Sequence, residues 1–333
     1  MPIVHPLVSV VLPVLNGAPY IRESVNSILN QTLHDIELIV VDNGSTDNTT
    51  EILSEISDPR LSVIRECEKG VFNALNKGIK TAKGEFFARM DCDDIALPHR
   101  LEYQHKLWQS SGAEVIGGGV RPFRTDREIG NGFTRYCTWL NTLTINKDII
   151  HNIFIEDPIP SPTLFMPLKA LIKVGGYDPG VYPDDYNLTL KNYSAGYSFA
   201  KTESVLLEWR DHDGRLSRTA TELKNQRFFN IKASYFKKII YDSKRPIVIW
   251  GLGSNAKDLY RSFQKEGVPV AGFTSASEFI KEKSLYNLPI SAHTDWKNCY
   301  FIIATAARDA RTEVIDKLQQ IGLETYNDFI AFC

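Results

Sequence analysis

Four short apolar runs divide the first part of the chain. They span residues 8–15, 36–41, 61–64 and the stretch that begins at Phe86, and they are rich in β-branched or aromatic side chains. The continuous run 8–15 suits a central parallel strand that is covered on both faces, and 36–41 reads as a second buried strand. Between the runs, apolar residues recur at helical spacing, as at Ile21, Val25, Ile28 and Leu29. The alternation of strand and helix predicts an α/β fold with a parallel sheet.

Polar side chains follow three of these predicted strands. Asn16, Asp42 and Asp91 each come at the carboxyl end of a run. Ligands bind at the carboxyl ends of the strands in open α/β sheets, so these residues indicate a nucleotide pocket.

The fourth strand leads into an acidic turn that contains Asp91, Asp93 and Asp94 and closes at Pro98. Three carboxylates at the end of a buried strand repel one another and lose hydration, so they need compensation. A Mg²⁺ or Mn²⁺ ion that bridges to substrate phosphates needs only one or two carboxylates. The alternative is a solvated turn that caps a helix starting near Pro98.

Composition narrows the class of protein. A chain of 333 residues, 43% hydrophobic and 23% charged, predicts about two globular domains. The net charge of −2 gives no basic field for nucleic acid or an anionic membrane. Five scattered cysteines indicate reduced thiols, with neither a disulfide framework nor a zinc site. The first residues lack the basic region of a signal peptide, and no apolar run approaches bilayer length, so we expect a soluble, cytoplasmic protein.

The middle of the chain adds a second pair of carboxylates. A proline-rich stretch, 158–167, and a Gly-Gly turn at 175–176 precede Asp184 and Asp185 at the start of a predicted helix. On the residues alone, one of the two aspartates caps that helix. A predicted strand at 205–210 then leads into a polar loop.

The last third predicts a separate α/β unit. Residues 222–241 form an amphipathic helix, interpreted as a link between domains, with a membrane-surface helix as the alternative. A strand at 247–250 precedes a G-x-G-x-x-A fingerprint, Gly251 to Ala256. The next strand, 268–273, ends in Thr274 rather than in the acid that NAD binding requires. We therefore expect a first α/β domain over 1–218, a linking helix over 219–244, and a structural or acceptor-positioning Rossmann-like domain over 245–333.

Four ordered motifs carry a family resemblance. VSVVLPVLNG, IVVDNGSTDNT, GVFNALNKGI and ARMDCDDIALPHRL are similar in order and spacing to family 2 glycosyltransferases with the GT-A fold. The resemblance covers roughly residues 5–215. It implies an inverting transferase that uses a nucleotide-activated sugar, usually a UDP-sugar.

The resemblance also implies residue roles for the donor. Pro13, Val14, Leu15 and Asn16 would line the base and ribose, Asp42 would accept from uracil N3–H, and Asp91 would lie near the ribose. Asp93 would hold the Mn²⁺ or Mg²⁺ ion, while Cys92 between them would point away from the metal. Asn76, in the third motif, Cys92 and Arg210 complete the nucleotide-sugar-binding set. The sequence departs from the family at Asn43, where a second Asp is common, and at Cys92, usually Ala or Ser.

The remaining roles concern the reaction and the closing loop. The stretch GGYDPGVYPDDYNLTL resembles the family segment that carries the catalytic base. The resemblance makes Asp185 the base and Asp184, at a position more often held by Glu, a second catalytic residue. The segment after Arg210 resembles the family's Arg-x-His-x-x-Ser-x-Ser, although Arg215 and Leu216 replace its first Ser. His212 would contact the metal or the diphosphate, and Arg210, Arg215 or Arg218 would neutralise phosphate. A plain polar surface loop is the alternative.

The acceptor is open at this point. Assembly of bacterial surface polysaccharide or glycolipid is the first expectation, with peripheral contact to the inner face of the membrane left open. The arrangement with a C-terminal α/β module also resembles the vertebrate galactosyltransferase that modifies queuosine in tRNA, through RYCTWLNTL and WGLGSNAKDLYRSF. Under that alternative alone a nucleic acid would be the acceptor. A third reading is a nucleotide-binding regulatory protein without catalysis, and the acidic set at Asp91, Asp93 and Asp185 argues against it.

Overall fold

The structure is a computed structural model that describes residues 5–215, 225–275, 284–291 and 298–333. The chain divides into two compact units, Met1–Ile149 with Pro158–Ala220 and Ile150–Asp157 with Thr221–Cys333. The short segment Ile150–Asp157, which falls within the domain predicted over 1–218, belongs to the second unit. Of the helix predicted as a link over 219–244, the described part, Asn225–Ile239, lies in the second unit.

The first unit contains one mixed sheet with helices on its connections. Its strands are β1 (Val8–Val14), β2 (Ile36–Asp42), β3 (Leu61–Arg65), β4 (Phe86–Arg89), β5 (Ile95–Ala96), β6 (Val115–Phe123), β7 (Phe165–Pro167) and β8 (Phe199–Arg210). Its helices are α1 (Ile21–Leu29), α2 (Thr49–Ser54), α3 (Val71–Thr81), α4 (Arg100–Ser111), α5 (Asn131–Thr142), α6 (Asn146–Asn152, which runs into the second unit), α7 (Leu168–Lys173) and α8 (Asp184–Ser194). A single 3₁₀ turn at Ser161–Thr163 precedes β7.

The strand order is β3-β2-β1-β4-β7-β6-β8-β5. The first four strands are mutually parallel, as their continuous apolar runs predicted. β7 is antiparallel to β4 and β6, while β8 is parallel to β6 and antiparallel to β5. The prediction of a parallel sheet is therefore confirmed for the first half of the unit, and the second half makes the sheet mixed.

The order of the first strands creates a topological switch point. The chain moves outward from β1 through β2 to β3, and then returns to place β4 on the other side of β1. Loops that leave adjacent strands in opposite directions open a crevice at the carboxyl ends, which is where ligands bind in open α/β sheets. The crevice here lies between the ends of β1 and β4.

Pro13 is tolerated in this central strand because of where β4 stops. In β1 the main chain of Val11 faces β4, since Val11 O accepts the N–H of Met90 at 3.0 Å. Position 13 faces the same side by the alternation of the strand. Pairing with β4 ends at Arg89 opposite Val11, so the missing N–H of Pro13 breaks no ladder bond.

The core of the first unit is built from the alternating faces of these strands and the apolar stripes of the helices. Val10, Leu12 and Val40 are fully buried, and Val25 and Ile28 of α1 pack against them. Helix α3 lies close to β1, because a Cβ at Gly78 would collide with the side chain of Val11. This close approach fixes the position of the polar residues on α3.

The second unit has its own parallel sheet. Its elements are α9 (Asn225–Ile239), β9 (Ile247–Trp250), α10 (Ser254–Glu266), β10 (Val270–Thr274), β11 (Ser284–Leu285), β12 (Leu288–Pro289), β13 (Tyr300–Ile303), α11 (Arg308–Gln320) and β14 (Phe329–Ala331). The strand order of the larger sheet is β10-β9-β13-β14, and every pairing is parallel. β11 and β12 form a separate antiparallel hairpin.

The fingerprint at Gly251 occurs in the strand-turn-helix context that the sequence predicted. Gly251 follows β9 with φ +135°, a conformation that favours glycine, and an added Cβ would lie 3.1 Å from the carbonyl oxygen of Ala304. Thr274 ends the neighbouring strand β10. The assignment of this unit as a Rossmann-like module with a structural role stays a prediction.

Helix α9 supplies part of the core of the second unit. Phe229, Ala233 and Phe236 are buried, and the ring of Phe236 lies 5.3 Å from that of Phe263. Lys232 is also buried and donates to the carbonyls of Ile155 and Phe332. The apolar stripe of this helix is therefore explained by packing. Within the described ranges, no helix has the length and apolarity needed to cross a bilayer.

Candidate active site

Side-chain hydrogen bonds join the loops that follow β1 and β2. The main-chain N–H of Asn16 donates to Ser45 Oγ at 2.9 Å, and the N–H of Thr46 donates to Asn16 Oδ1 at 2.8 Å. Asn16 adopts a positive φ of 55°, which asparagine tolerates better than most residues. Asp42, the last residue of β2, accepts the N–H of Ser45 at 2.9 Å. The structure thus brings the predicted residues Asn16 and Asp42 to one edge of the sheet.

The residues predicted to line the base and ribose differ in exposure. Pro13 and Val14 are buried at the end of β1, whereas Leu15 is 56% exposed. Exposed leucine beside a polar loop offers an apolar face to a planar ring. Binding of the base by these residues stays a prediction.

Asn43 has a structural task that explains its departure from the family pattern. Its amide donates to the carbonyls of Glu66 at 3.1 Å and Glu68 at 2.7 Å, and its oxygen accepts the N–H of Gly70 at 2.9 Å. A carboxylate can accept but cannot donate, so aspartate would lose two of these bonds. Asn43 therefore ties the loop after β2 to the start of α3.

A buried arginine lies beside the acidic turn. Arg89 is 6% exposed, and its Nε donates to Asp91 Oδ1 at 2.9 Å. Its Nη1 lies 3.5 Å from Asp184 Oδ2, and its guanidinium carbon lies 5.7 Å from the centre of the Tyr177 ring. Partial burial raises the pKa of Asp91, and the Arg89 charge opposes that rise. Arg89 therefore connects the turn after β4 to the start of α8.

The structure brings the two predicted metal ligands together. His212 Nε2 lies 2.9 Å from Asp93 Oδ2, although 119 positions separate them in the chain. Arg210 donates through Nε to the carbonyl of Asp93 at 2.7 Å and forms an ion pair with Glu23 at 2.5 Å. The ring of His212 lies 5.0 Å from that of Tyr20.

Asp94 differs from its two neighbours because it is buried. It is 2% exposed, its Oδ1 accepts the main-chain N–H of Arg210 at 2.9 Å, and its Oδ2 has no hydrogen-bond partner among the described residues. Burial, followed by the charges of Asp93 and Asp91, raises the pKa of Asp94 well above its usual value. The alternative of a turn that caps the following helix is wrong, since α4 begins only at Arg100 without a side-chain cap bond.

The second carboxylate pair forms the first two residues of α8. Asp184 is 6% exposed, and burial, then the charge of Asp185, raises the pKa of Asp184 to about 7, whereas Arg89 opposes the rise. Asp185 is half-buried, and its Oδ1 accepts the N–H of Tyr186 at 2.8 Å. Pro183 occupies the N-cap, so the interpretation of either aspartate as the cap is wrong. A helix N-terminus favours the charged form of both acids.

Asn76 connects α3 to the Gly-Gly turn. Its Nδ2 donates to the carbonyl of Tyr177 at 2.7 Å, and its Oδ1 accepts the N–H of Tyr177 at 3.0 Å. Gly176 has a φ of +60°, and an added Cβ would lie 2.7 Å from Asn76 Oδ1. The Asn76 amide is thus held by the main chain of Tyr177, whose ring faces the Arg89 guanidinium. A direct contact of Asn76 with the donor stays a prediction.

Cys92 lies between Asp91 and Asp93 with its Sγ 3.4 Å from the position of a Cβ on Gly17. Burial, followed by the charge of Asp93, raises the pKa of the Cys92 thiol well above its usual value. A protonated thiol is a poor metal ligand. The orientation of Cys92 away from a metal stays a prediction.

A second arginine holds the loop that carries His212. The side chain of Arg124 is 2% exposed and donates to Asp211 at 3.2 Å and to Asp213 at 3.0 Å, so both neighbours of His212 are anchored. Arg215 lies over the ring of Trp209 at 4.9 Å. Arg218, also predicted to bind phosphate, lies outside the described residues.

Sequence reasoning missed Arg89, Arg124 and Glu23. A signal existed for Arg89, because a charged residue within a buried apolar run needs an opposite charge. Arg124 and Glu23 had no such signal, since both lie in ordinary polar surroundings in the sequence. An open groove of about 710 Å³, lined by Tyr103, Ile145 and residues 198–204 among others, includes none of the predicted site residues.

The side chains of Asp93 and His212 are suitable ligands for a divalent cation. Among the described residues no cluster of three or more His, Cys, Asp or Glu side chains stands ready for a metal. Mg²⁺ and Mn²⁺ bound with substrate phosphates require only one or two carboxylates. Asp93, whose Oδ2 lies 2.9 Å from His212 Nε2, meets that requirement.

Comparison with known proteins identifies the family. The family model described as Glycosyl transferase family 2 matches residues 9–175. A glycosyltransferase of Haemophilus influenzae is 32% identical over 72% of this chain and 77% of its own length. One from Rickettsia typhi is 30% identical over 96% of this chain and 93% of its own. The O-antigen biosynthesis glycosyltransferase WbnJ of Escherichia coli is 30% identical over 64% and 83%, respectively.

Solved structures agree on the fold. Staphylococcus aureus TarS in complex with UDP-GlcNAc is 19% identical, with a TM-score of 0.56 over 69% of this chain and 66% of its own. The mannosyltransferase PcManGT of Pyrobaculum calidifontis, in complex with GDP-Man and Mn²⁺, has a TM-score of 0.53 at 22% identity over 74% and 67%. The mixed α/β sheet is that of GT-A glycosyltransferases. The chain is a glycosyltransferase and belongs to glycosyl transferase family 2.

Proposed function

We propose that the chain transfers a sugar from a UDP-sugar to an acceptor hydroxyl, with a divalent metal and with inversion at the anomeric carbon. The observation that carries this proposal is the pair of contacts made by Arg89. One guanidinium reaches both Asp91, on the donor side, and Asp184, the neighbour of Asp185 on α8. Asp185, the predicted base, therefore follows directly after Asp184. The side chain of Arg89 joins Asp184 to the acidic turn at Asp91–Asp94, which we call the donor turn.

The donor would bind in the crevice between the ends of β1 and β4. Leu15 and Asn16 would receive the base and ribose, Asp42 would accept from a base N–H, and Asp91 would face the ribose hydroxyls. These residues lie at carboxyl ends of adjacent strands, where this class of sheet binds nucleotides. TarS, of similar fold, binds UDP and UDP-GlcNAc, whereas PcManGT binds GDP-Man, so the choice of base needs a direct test.

Asp93 and His212 would hold the metal. When bound, the ion would supply Lewis-acid stabilisation to the diphosphate leaving group. The chain itself contributes the anchors of these ligands: Arg124 holds the residues that flank His212, and Arg210 holds the carbonyl of Asp93. Fixed ligands lose little conformational freedom when the donor binds.

Asp185 would act as the general base. It is half-buried at the N-terminus of α8, so an acceptor hydroxyl can reach it, whereas Asp184 is 6% exposed and already contacts Arg89. Asp185 would take the hydroxyl proton as the oxygen attacks the anomeric carbon from the side opposite the diphosphate. One displacement of this kind inverts the centre and turns an α-linked donor into a β-linked product.

For the acceptor we propose a growing surface polysaccharide or glycolipid. WbnJ, 30% identical over 64% of the chain, is an O-antigen biosynthesis glycosyltransferase. The net charge of −2 gives no electrostatic footprint for RNA, which sets the tRNA alternative behind it.

A thermal-shift panel of UDP-, GDP- and dTDP-sugars, each with and without Mn²⁺, tests the donor. A ligand at one hundred times its Kd adds about 2.7 kcal/mol, which raises the Tm by roughly 5–10 °C. We expect the largest shift from a UDP-sugar with Mn²⁺. A larger shift from a GDP- or dTDP-sugar would refute the UDP assignment, and equal shifts without Mn²⁺ would refute the metal. The anomeric configuration of the product, read by NMR, tests inversion.

A further inference from the structure

Arg89 is a buried cation shared by two carboxylates from distant parts of the chain. The side chain of Arg89 is 7% exposed, and the side chain of its partner Asp184 is 8% exposed. Asp91 lies 2.9 Å from Nε and Asp184 lies 3.5 Å from Nη1, so different nitrogens of one guanidinium serve the two acids. The two acids belong to the donor turn and to the base-bearing helix.

The main chain of Arg89 is held independently of its side chain. Its N–H donates to the carbonyl of Leu164 at 2.9 Å, and its own carbonyl accepts Nη2 of Arg100 at 2.6 Å. Arg100 is fully buried, and its Nε donates to Gln104 at 3.2 Å. The Arg89 side chain therefore extends from a fixed main-chain position. Its contacts with Asp91 and Asp184 hold these two carboxylates at a set distance from each other.

The surroundings restrict the guanidinium as well. The Tyr177 ring lies 5.7 Å from its central carbon, and Tyr177 is itself clamped at its main chain by Asn76. Planar stacking and a rigid fork of donors are properties of arginine that lysine lacks. A lysine at this position could satisfy one carboxylate at a time, because its ammonium is a point charge on a flexible chain.

We propose that Arg89 is a positioning residue that sets the distance between the donor turn and the N-terminus of α8, and so places Asp185 against the anomeric carbon of the bound donor. The proposal rests on the proposed function, since it assigns the donor to the turn at Asp91 and the base to Asp185. Arg89 itself touches neither substrate. Misplacing a reactive group by about 1 Å costs on the order of a hundredfold in rate.

The test compares Arg89→Lys, Asp184→Asn and the double variant with the unchanged protein at pH 8, where the Asp184 carboxylate predominates. The measurements are kcat and KM for the identified donor and acceptor, with the UDP affinity from calorimetry. We expect kcat to fall about 10–100-fold in each single variant while the UDP affinity stays within about threefold. The double variant should lose no more than the worse single variant, because both changes break the same link.

Arg60→Lys is the matched control. Arg60 also bridges two groups, the Asp58 carboxylate and the carbonyl of Leu29, in the first unit and outside the site. Its replacement should leave kcat unchanged. An unchanged kcat in Arg89→Lys, or losses that multiply in the double variant, would overturn the proposal. A fall in UDP affinity equal to the fall in kcat would also overturn it, since Arg89 would then serve donor binding.

Asp184→Asn keeps the proposal testable if Arg89→Lys does not fold. This variant should lose about 10–100-fold in kcat, far less than Asp185→Asn, which removes the base. A loss as complete as that of Asp185→Asn, or no loss, would contradict the positioning role. The proposed function fails separately, when the unchanged protein transfers no sugar from any nucleotide donor.

Discussion

Asn76→Asp distinguishes two roles for one side chain. The sequence placed Asn76 among the donor-binding residues, whereas its amide bonds both main-chain groups of Tyr177. Aspartate has nearly the same shape and can still accept the N–H of Tyr177, but it cannot donate. The Tyr177 carbonyl, now 2.7 Å from a donor nitrogen, would face a carboxylate oxygen instead.

The expected cost follows from these two contacts. Loss of the hydrogen bond removes about 1 kcal/mol, and an unsatisfied carbonyl in a part-buried place adds about 1–3 kcal/mol. The first unit should therefore be destabilised by about 2–4 kcal/mol. For a domain of this size that corresponds to a Tm lowered by roughly 5–15 °C in calorimetry. Gly176→Ala should give a loss of the same order, because its Cβ would lie 2.7 Å from Asn76 Oδ1 at a φ of +60°.

Asn73→Asp is the matched control on the same helix. Asn73 is half-buried, and its amide donates one hydrogen bond, exposed to solvent, to the carbonyl of Lys69 at 3.0 Å, in the first turn of α3 where a carboxylate is favoured. Its Tm should change little. The reasoning is refuted if Asn76→Asp has the same Tm as the unchanged protein and its UDP affinity falls tenfold or more. Asn76 would then contact the donor directly.

Three further changes test the site. Asp93→Ala should abolish Mn²⁺-dependent transfer, and full activity measured with radiolabelled donor would refute its metal role. Asp185→Asn should keep UDP binding by calorimetry and lose transfer by at least a thousandfold, whereas lost UDP binding would show that it is not the base. Asp184→Asn should alter the pH dependence of stability: the folded-state pKa of Asp184 is raised to about 7 from 3.8, so the folded protein binds the extra proton between these values. Stability of the unchanged protein should therefore fall relative to Asp184→Asn as pH rises from about 4 to 7, and a parallel pH profile of Tm for both proteins would contradict this.

The strands could be predicted because their signal is local. Continuous apolar runs indicated β1, β2, β3 and β4, and all four lie where the pattern placed them. The carboxyl-end positions of Asn16, Asp42 and Asp91 followed from the same pattern, since parallel strands end at one edge. β7 gave no such signal, because it is only three residues long and follows a proline-rich stretch.

The contacts within the site could not be predicted from spacing. His212 and Asp93 are 119 positions apart, and the Asn76 amide bonds a residue 101 positions away. Family resemblance named His212 and Asp93 together but gave no reason for their approach. That reason is Arg124, whose side chain anchors both neighbours of His212, and nothing local to Arg124 marks it.

The segment Ile150–Asp157 shows the same limit for domains. Its composition resembles its surroundings, and the predicted first domain ran through it without a break. Its carbonyl at Ile155 accepts Lys232 Nζ at 2.8 Å, and Phe154 stacks on Phe332 at 5.1 Å, so its partners lie in the second unit. Membership of a unit is decided by such distant partners, which a reading along the chain does not contain.

The contacts of Arg89 could be predicted in part from the sequence. A single arginine in the run FFARMD must be paired, because an uncompensated buried charge costs several kcal/mol. Asp91, two positions later, supplies one partner from sequence alone. One carboxylate leaves part of a five-donor guanidinium unsatisfied, so a second acceptor from elsewhere is required. The sequence therefore predicts that a second acceptor exists, and only the fold identifies it as Asp184, which joins the donor turn to the helix of the base.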